Sequence, residues 1–339
     1  MRSGSHPLKK KGKLDPPKDI TVQMVTFIPF LSGYFEQSLD VLKFSLESLW
    51  KNTSLPFDLM VFDNGSCTEV RQYLVDLLQN HKIQFLYLSD ENVGLPGAWN
   101  ALFRSAPGKI IAYSDSDIYF YPGWLEACLK IIDTYPNTGM VTGIPVRNPP
   151  QHNTQTLAWA QSSGADLVKI ERGCLMPWDI YWAHVRSLGH TEEEARKRYV
   201  SPELEDTWLS YKELPAGIGA GHFQFVSPSQ ALNNAAPFPY IMPMGNERYL
   251  DDQINQAGYL RLTTTEMFVR HIGNRLVGEG FDLIKEIKEN GAAEENSVSP
   301  AILRQERRSL KTRLINVPTV RKALLALHNY IFRLYYDRK

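Results

Sequence analysis

The sequence predicts an α/β fold, a mostly parallel sheet with helices on both faces. Two observations lead there. From Ile20 to about Arg147, short apolar runs of strand length alternate with stretches whose leucines recur at helical spacing, the order that builds parallel sheets through crossover helices. In addition, Asp63, Asn92, Asp115 and Asp117 all fall where an apolar run ends, on the rim where such sheets bind ligands.

The elements follow in order. ITVQMVTFIP reads as a buried strand, and FEQSLDVLKFSLESLWKN carries Leu39, Leu42, Leu46 and Leu49 at helical spacing. FDLMVFD is a second strand, stopped by the turn signal DNGS at Asp63. TEVRQYLVDLLQN, QFLYLS and PGAWNALFRSA read as helix, strand and helix; KIIAYS, GWLEACLKIIDTY and GMVTGI repeat the pattern. After Arg147 the alternation breaks. Pro149 to Pro215 is polar, tryptophan-bearing and irregular, with one clear helix around HTEEEARKRYV, and is expected to pack over the ligand edge. GIGAGHFQFVSPSQALNNAAPF then reads as a glycine-rich turn, a short strand and a helix. NERYLDDQINQAGY is a helix stopped by Gly258, and LRLTTTEMFVRHIGN a strand pair ending at His271.

These patterns divide the chain. Residues 1–19, with KKKGK and Pro16-Pro17, read as a disordered basic arm or an expression remnant. The folded domain is expected over 20–278, as a first half (20–147), an insertion (148–215) and a second half (216–278). A charged linker is expected over 279–300 and a basic amphipathic helical tail over 301–339. In that tail Val320, Leu324, Leu327, Ile331 and Leu334 form a stripe among cations. Such a helix at 318–339 either lies on an anionic membrane surface or packs on the domain or on a second copy in a homo-oligomer.

Bulk composition bounds the rest. At 339 residues, 43% apolar and 22% charged, the chain is ordinary globular protein. Its formal charge of zero provides no whole-protein field for nucleic acid. Cys67, Cys128 and Cys174 are odd in number and form no CxxC, which argues against a disulfide framework and for a reducing compartment. No apolar run approaches the roughly 18 residues of a membrane span. The expected location is cytoplasmic, with the tail as a peripheral attachment to the cytoplasmic face of a membrane.

The chemistry-bearing stretch is KIIAYSDSDIYFYPGW. Asp115 and Asp117 are separated by Ser116, so on an extended backbone their carboxylates point the same way and repel each other unless a cation lies between them. Hard oxygen ligands suit Mg²⁺ or Mn²⁺, which bridge to phosphates. A diphosphate is the natural third party.

Seven short motifs then occur in sequence: IPF at Pro29 and Phe30, DNGS at Asp63, ENVGLPGAWN at 91–100, SDSD at 114–117, GAGHFQF at 219–225, NERYLDDQINQAGY at 246–259 and VRHIGN at 269–274. In this order the chain resembles the family 2 glycosyltransferases, which have the Rossmann-like, nucleotide-sugar-binding GT-A fold. The resemblance runs from about Ile20 to Asn274. It implies a nucleotide-sugar site made by Pro29, Phe30, Asp63, Asn92, Gly94, Asn100, Asp115, Ser116 and Asp117. A metal site would be formed by Asp117 and His271 with Asp115, holding Mn²⁺ or Mg²⁺. Gly221 and His222 would lie closest to the acceptor.

An inverting transfer also needs a carboxylate to take the acceptor proton. Register from Gly258-Tyr259 favours Glu247, residue type favours Asp251, and Asp252 is the third candidate; Asn246 departs from the family's acidic pair. The implied partners are a nucleoside diphosphate sugar, UDP by default, and a glycan or lipid-linked acceptor. Trp159, Trp178, Trp182 and Trp208 either fill a core or stack on sugar. A retaining transferase, a nucleotidyltransferase and a non-catalytic sugar-binding protein are the competing readings.

Overall fold

The structure is a computed structural model and describes residues 14–201, 205–240, 247–278 and 281–290, with Ala326, Leu327 and Tyr330. The arm up to residue 13, Asn246, the linker beyond 290 and, apart from those three residues, the basic tail at 301–339 with its membrane reading lie outside the described residues. The chain divides into two compact units, Met1–Ile287 and Lys288–Lys339.

Twelve strands matter for the site: β1 (Ile20–Thr26), β2 (Asp58–Asn64), β3 (Phe85–Ser89), β4 (Ile110–Asp115), β5 (Ile118–Phe120), β6 (Thr138–Thr142), β7 (Val168–Gly173), β8 (Asp206–Tyr211), β9 (Leu214–Ile218), β10 (Gln224–Pro228), β11 (Leu260–Thr263) and β12 (Val269–His271). Ten of them form one sheet in the order β3-β2-β1-β4-β10-β6-β11-β9-β8-β7. Strands β1, β2, β3, β4, β6, β8 and β11 run one way; β7, β9 and β10 run the other. The mostly parallel α/β class expected from the sequence is what forms.

Helices cover both faces, and the strands show why their sequences read as unbroken apolar runs. Alternate residues serve opposite cores. Leu59 and Val61 of β2 and Ala112 of β4 face a core with α1 (Ser38–Asn52), α2 (Thr68–Gln79) and α4 (Trp124–Thr134). Met60, Phe62, Ile111 and Tyr113 face the other, with α3 (Gly94–Ser105), α8 (Ser229–Ala235) and α9 (Glu247–Gln256). The leucine stripe of α1 is confirmed: Leu42, Leu46 and Leu49 are fully buried.

Three features differ from expectation. The insertion is not irregular: it holds α5 (Thr154–Ser162), α6 (Trp178–Ser187) and α7 (Glu192–Tyr199), and β7 and β8 extend the main sheet through β9. Strand β7 is polar and mostly exposed at the sheet edge, so it lacks the apolar run that marks a strand in sequence. The pair read in LRLTTTEMFVRHIGN is split, because β11 joins the main sheet while β12 pairs antiparallel with β5 as a separate ribbon. Finally, the expected linker from 279 is corrected as far as Ile287. There α10 (Leu283–Asn290) places Leu283 and Ile287, four residues apart, against Val41, Ile272 and Leu276. Among the described residues no helix is long and apolar enough to cross a membrane.

Candidate functional site

The rim is assembled by strand register. Thr26 of β1 lies beside Asp63 of β2, and Val25 lies beside Asp115 of β4, so three strands end level. Strand β4 stops at Asp115, whose amide donates to the Phe223 carbonyl (2.8 Å) and whose Oδ1 accepts from the Tyr113 hydroxyl (2.7 Å). The chain turns at Ser116–Asp117 before β5 begins. That turn removes the extended backbone on which the same-side reading of the two carboxylates rested.

The group found beside Asp117 is His271. Pairing of β5 with β12 sets His271 opposite Ile118, and the Ile272 amide donates to the Asp117 carbonyl (2.9 Å). The imidazole Nε2 then lies 3.3 Å from Asp117 Oδ2, and Nδ1 lies 2.8 Å from Ser187 Oγ on α6. Asp117 keeps 27% of its side chain exposed, yet the surrounding protein desolvates the carboxyl and pushes its pKa up to about 7. Burial, helped by the charge of His222, pushes His271 down to about 4. A neutral imidazole and a carboxylate short of positive charge are a fitting donor set for a divalent cation. Among the described residues no three His, Cys, Asp or Glu side chains converge on one point. Asp117 and His271 would therefore leave most coordination positions to water and phosphate, as Mg²⁺ and Mn²⁺ sites commonly do.

The loops on the β1–β2 side are cross-tied. Ile28 N donates to Ser66 Oγ (3.0 Å) and Cys67 N to the Ile28 carbonyl (2.9 Å), which joins the segment before Pro29 to DNGS. Asn64 Oδ1 accepts from Val93 N, and Asn92 Oδ1 from Gly94 N, both at 2.8 Å. Gly65, at φ +85°, is required because a Cβ there would lie 3.0 Å from the Asn92 amide nitrogen. Phe30 is exposed and packs edge-on to Phe35 at 5.3 Å, leaving an aromatic surface at the rim.

Two residues expected to touch nucleotide are occupied by protein. Asp63 is fully buried, and its carboxylate takes Arg71 Nε (3.1 Å) and the Ser66 amide. Asn100 uses both ends of its amide on the Phe238 backbone, at 2.8 Å each. Both side chains are thus spent on holding backbone, Asp63 at the turn that ends in Ser66 and Asn100 at Phe238.

On the other side of the rim, Gly221 is buried, and its amide donates to Thr142 Oγ1 (2.7 Å). His222 is half-buried, and its charge lowers the pKa of His184, His271 and Asp251, so it lies within electrostatic reach of all three. Glu247 opens α9. One turn on, Asp251 is 2% exposed and forms an ion pair with Arg261 of β11 at 2.6 Å. Burial raises its pKa, and the guanidinium opposes that rise. Asp252 lies 2.8 Å from His152 Nδ1.

Arg261, itself fully buried, donates to the carbonyls of His152 and Ala220 (2.8 Å each) and to Asn153 Oδ1 (2.9 Å). It therefore ties α9, the insertion and the GAGHFQF loop together. Of the tryptophans, Trp159, Trp178 and Trp182 pack on the core, while Trp208 lines a cavity with Asn148, Asp206 and Thr263.

Sequence reasoning missed Arg261, Arg71, His184 and Ser187. The last two had a signal, since they lie three apart on one helical face of WDIYWAHVRS.

Residues 33–174 match the model of the family described as Glycosyl transferase family 2. The resemblance read from DNGS, ENVGLPGAWN and SDSD is borne out over that span, whereas IPF lies before it and GAGHFQF, NERYLDDQINQAGY and VRHIGN lie beyond it. An uncharacterized glycosyltransferase of Nostoc sp. is 23% identical over 123 residues, 36% of this chain and 37% of that protein. One of Rickettsia bellii is 30% identical over 89 residues, 26% of this chain and 13% of that protein. This chain thus matches well under half the length of either relative. Among solved structures, a mannosyltransferase of Pyrobaculum calidifontis, in complex with GDP-Man and Mn²⁺, is similar at 15% identity and TM-score 0.42, over 76% of this chain and 58% of that one. The TarS protein of S. aureus with UDP-GlcNAc is similar at 19% identity and TM-score 0.31, over 38% of this chain and 34% of that one.

Proposed function

We propose that this chain is a metal-dependent, inverting glycosyltransferase. In this reading it moves a hexosyl or N-acetylhexosaminyl group from a nucleoside diphosphate, UDP by preference, to a hydroxyl of a glycan or lipid-linked glycan. The observation that carries the reading is the meeting of Asp117 and His271 on the strand-end rim, 3.3 Å apart, within a chain whose residues 33–174 match the family model.

The residues divide the work. Asp117 and His271 would hold Mn²⁺ or Mg²⁺, with Asp115 and Ser116 lining the turn beside them; the bound ion would neutralise charge on the departing diphosphate. Phe30 offers a ring to the base. The tied loops at Asn64–Ser66 and Asn92–Gly94 would line the donor site, with Asp63 holding the first of them from behind and Asn100 anchoring the segment at Phe238. As the acceptor oxygen bonds to the anomeric carbon, the bond to diphosphate breaks and a carboxylate takes the acceptor proton. Glu247 suits that role best, because Asp251 is committed to Arg261 and Asp252 to His152. Gly221 and His222 would border the acceptor. Action in the cytoplasm, on an acceptor at a membrane face, belongs to the same proposal.

A thermal-shift and hydrolysis screen of nucleotide sugars, with and without Mn²⁺, tests the reading. A metal-dependent response that disappears in Asp117→Asn is expected. Undiminished nucleotide-sugar affinity in that variant refutes it.

A further inference from the structure

His271 is oriented by a residue of the insertion. Ser187, the last residue of α6, has its Oγ 2.8 Å from His271 Nδ1 and gives its proton to the His184 carbonyl at 2.5 Å. A hydroxyl has one donor and two acceptor sites. With that donor spent, Ser187 can only accept from the ring, so the proton of the neutral imidazole sits on Nδ1. Nε2 is left with a lone pair, and it faces Asp117 Oδ2 across 3.3 Å. Two electron-rich atoms so placed favour a shared positive charge.

The seat of α6 is built for close approach. Gly273, at φ +71°, lies where a Cβ would come within 3.0 Å of the Ser187 carbonyl oxygen. One turn back, the His184 ring packs on Phe223 (5.1 Å) and edge-on to His271 (6.2 Å). Helix α6 lies beyond the segment that matches the family model, and the contact joins the insertion to β12.

We infer that Ser187 is a positioning residue that fixes the Nδ1–H tautomer of His271 and thereby offers Nε2, together with Asp117, to a divalent cation. The inference rests on the metal site proposed above. Outer partners of this kind set the orientation and basicity of a metal-binding histidine.

Two measurements on the full chain test it. In the first, ¹⁵N-histidine NMR reads the tautomer without metal. The parent should show His271 protonated on Nδ1, and Ser187→Ala a mixture of tautomers; a parent protonated on Nε2 overturns the inference, whatever the variants do. In the second, Mn²⁺ titration followed by EPR reads affinity. Ser187→Ala should bind about 10–100-fold more weakly, and Ser187→Thr, which keeps the hydroxyl, should bind like the parent. Equal affinity in the parent and Ser187→Ala, with His271→Ala binding lost, overturns the role of Ser187 and leaves the metal reading standing. No Mn²⁺ binding by the parent overturns the metal reading, and with it any role of Ser187 toward the ion.

Discussion

Replacing Arg261 with methionine should be among the most damaging single changes in the domain. The guanidinium is fully buried, pairs with Asp251 at 2.6 Å, and donates to two carbonyls and an amide oxygen, so that with Asp251 its partners lie on three different segments. Methionine fills similar volume, so the loss is electrostatic rather than a cavity. Removing one partner of a buried ion pair costs about 3–5 kcal/mol, because the other charge is stranded. Asp251 can escape by taking a proton, and this sets the pH dependence. Its pKa in the folded parent is already raised by burial, and without the cation it rises further. A carboxyl whose folded pKa exceeds its unfolded value penalises folding above the unfolded pKa, and the penalty fades as pH falls. Urea unfolding should therefore show the full loss at pH 8 and a smaller one at pH 5. In a double-mutant cycle, Arg261→Met with Asp251→Asn should be less harmful than the sum of the two, by about 1–3 kcal/mol. A loss under about 1 kcal/mol at pH 8, or simple additivity, would refute the assignment of Asp251 as the counter-ion of Arg261.

Three further outcomes are expected. Mn²⁺ affinity, measured by calorimetry, should rise about tenfold per pH unit between pH 5 and 7 and level off above: protons compete for Asp117 below its pKa of about 7, whereas His271, at about 4, is already neutral. A flat profile would count against Asp117 as a ligand. Gly65→Ala forces a side chain into positive φ against the 91–92 backbone and should cost about 1–3 kcal/mol in thermal unfolding, with weaker donor binding. Glu247→Gln should lower turnover about 10²–10⁴-fold with donor affinity kept, while Asp252→Asn leaves turnover nearly intact; the reverse pattern would move the base one turn along α9.

The parallel half of the fold was readable because β1, β2 and β4 are buried on both faces, and alternation with leucine-striped helices such as α1 admits few other arrangements. Distance in sequence hid most of the site. Asp117 and His271 meet through two three-residue strands, too short for any periodic signal, and only the family resemblance joined them. Asp63 was correctly placed at a strand end, but nothing in DNGS indicates that Arg71, eight residues later, folds back to claim its carboxylate. Arg261 sits in an LRLT strand where alternation alone would send it to solvent. It is buried because Asp251, Asn153 and two carbonyls converge on it from segments that the sequence treats as unrelated. The insertion read as irregular because β7 borders solvent and its apolar residues are sparse.

The β5–β12 ribbon also dictates when the site can exist. A ribosome that has released the first 260 residues has supplied almost every strand of the large sheet, yet the imidazole meant to face Asp117 has not been made. Until the segment from Val269 to His271 emerges and zips onto Ile118–Phe120, the nascent protein lacks the completed Asp117–His271 pair. A cation that needs both side chains therefore has to wait for that segment.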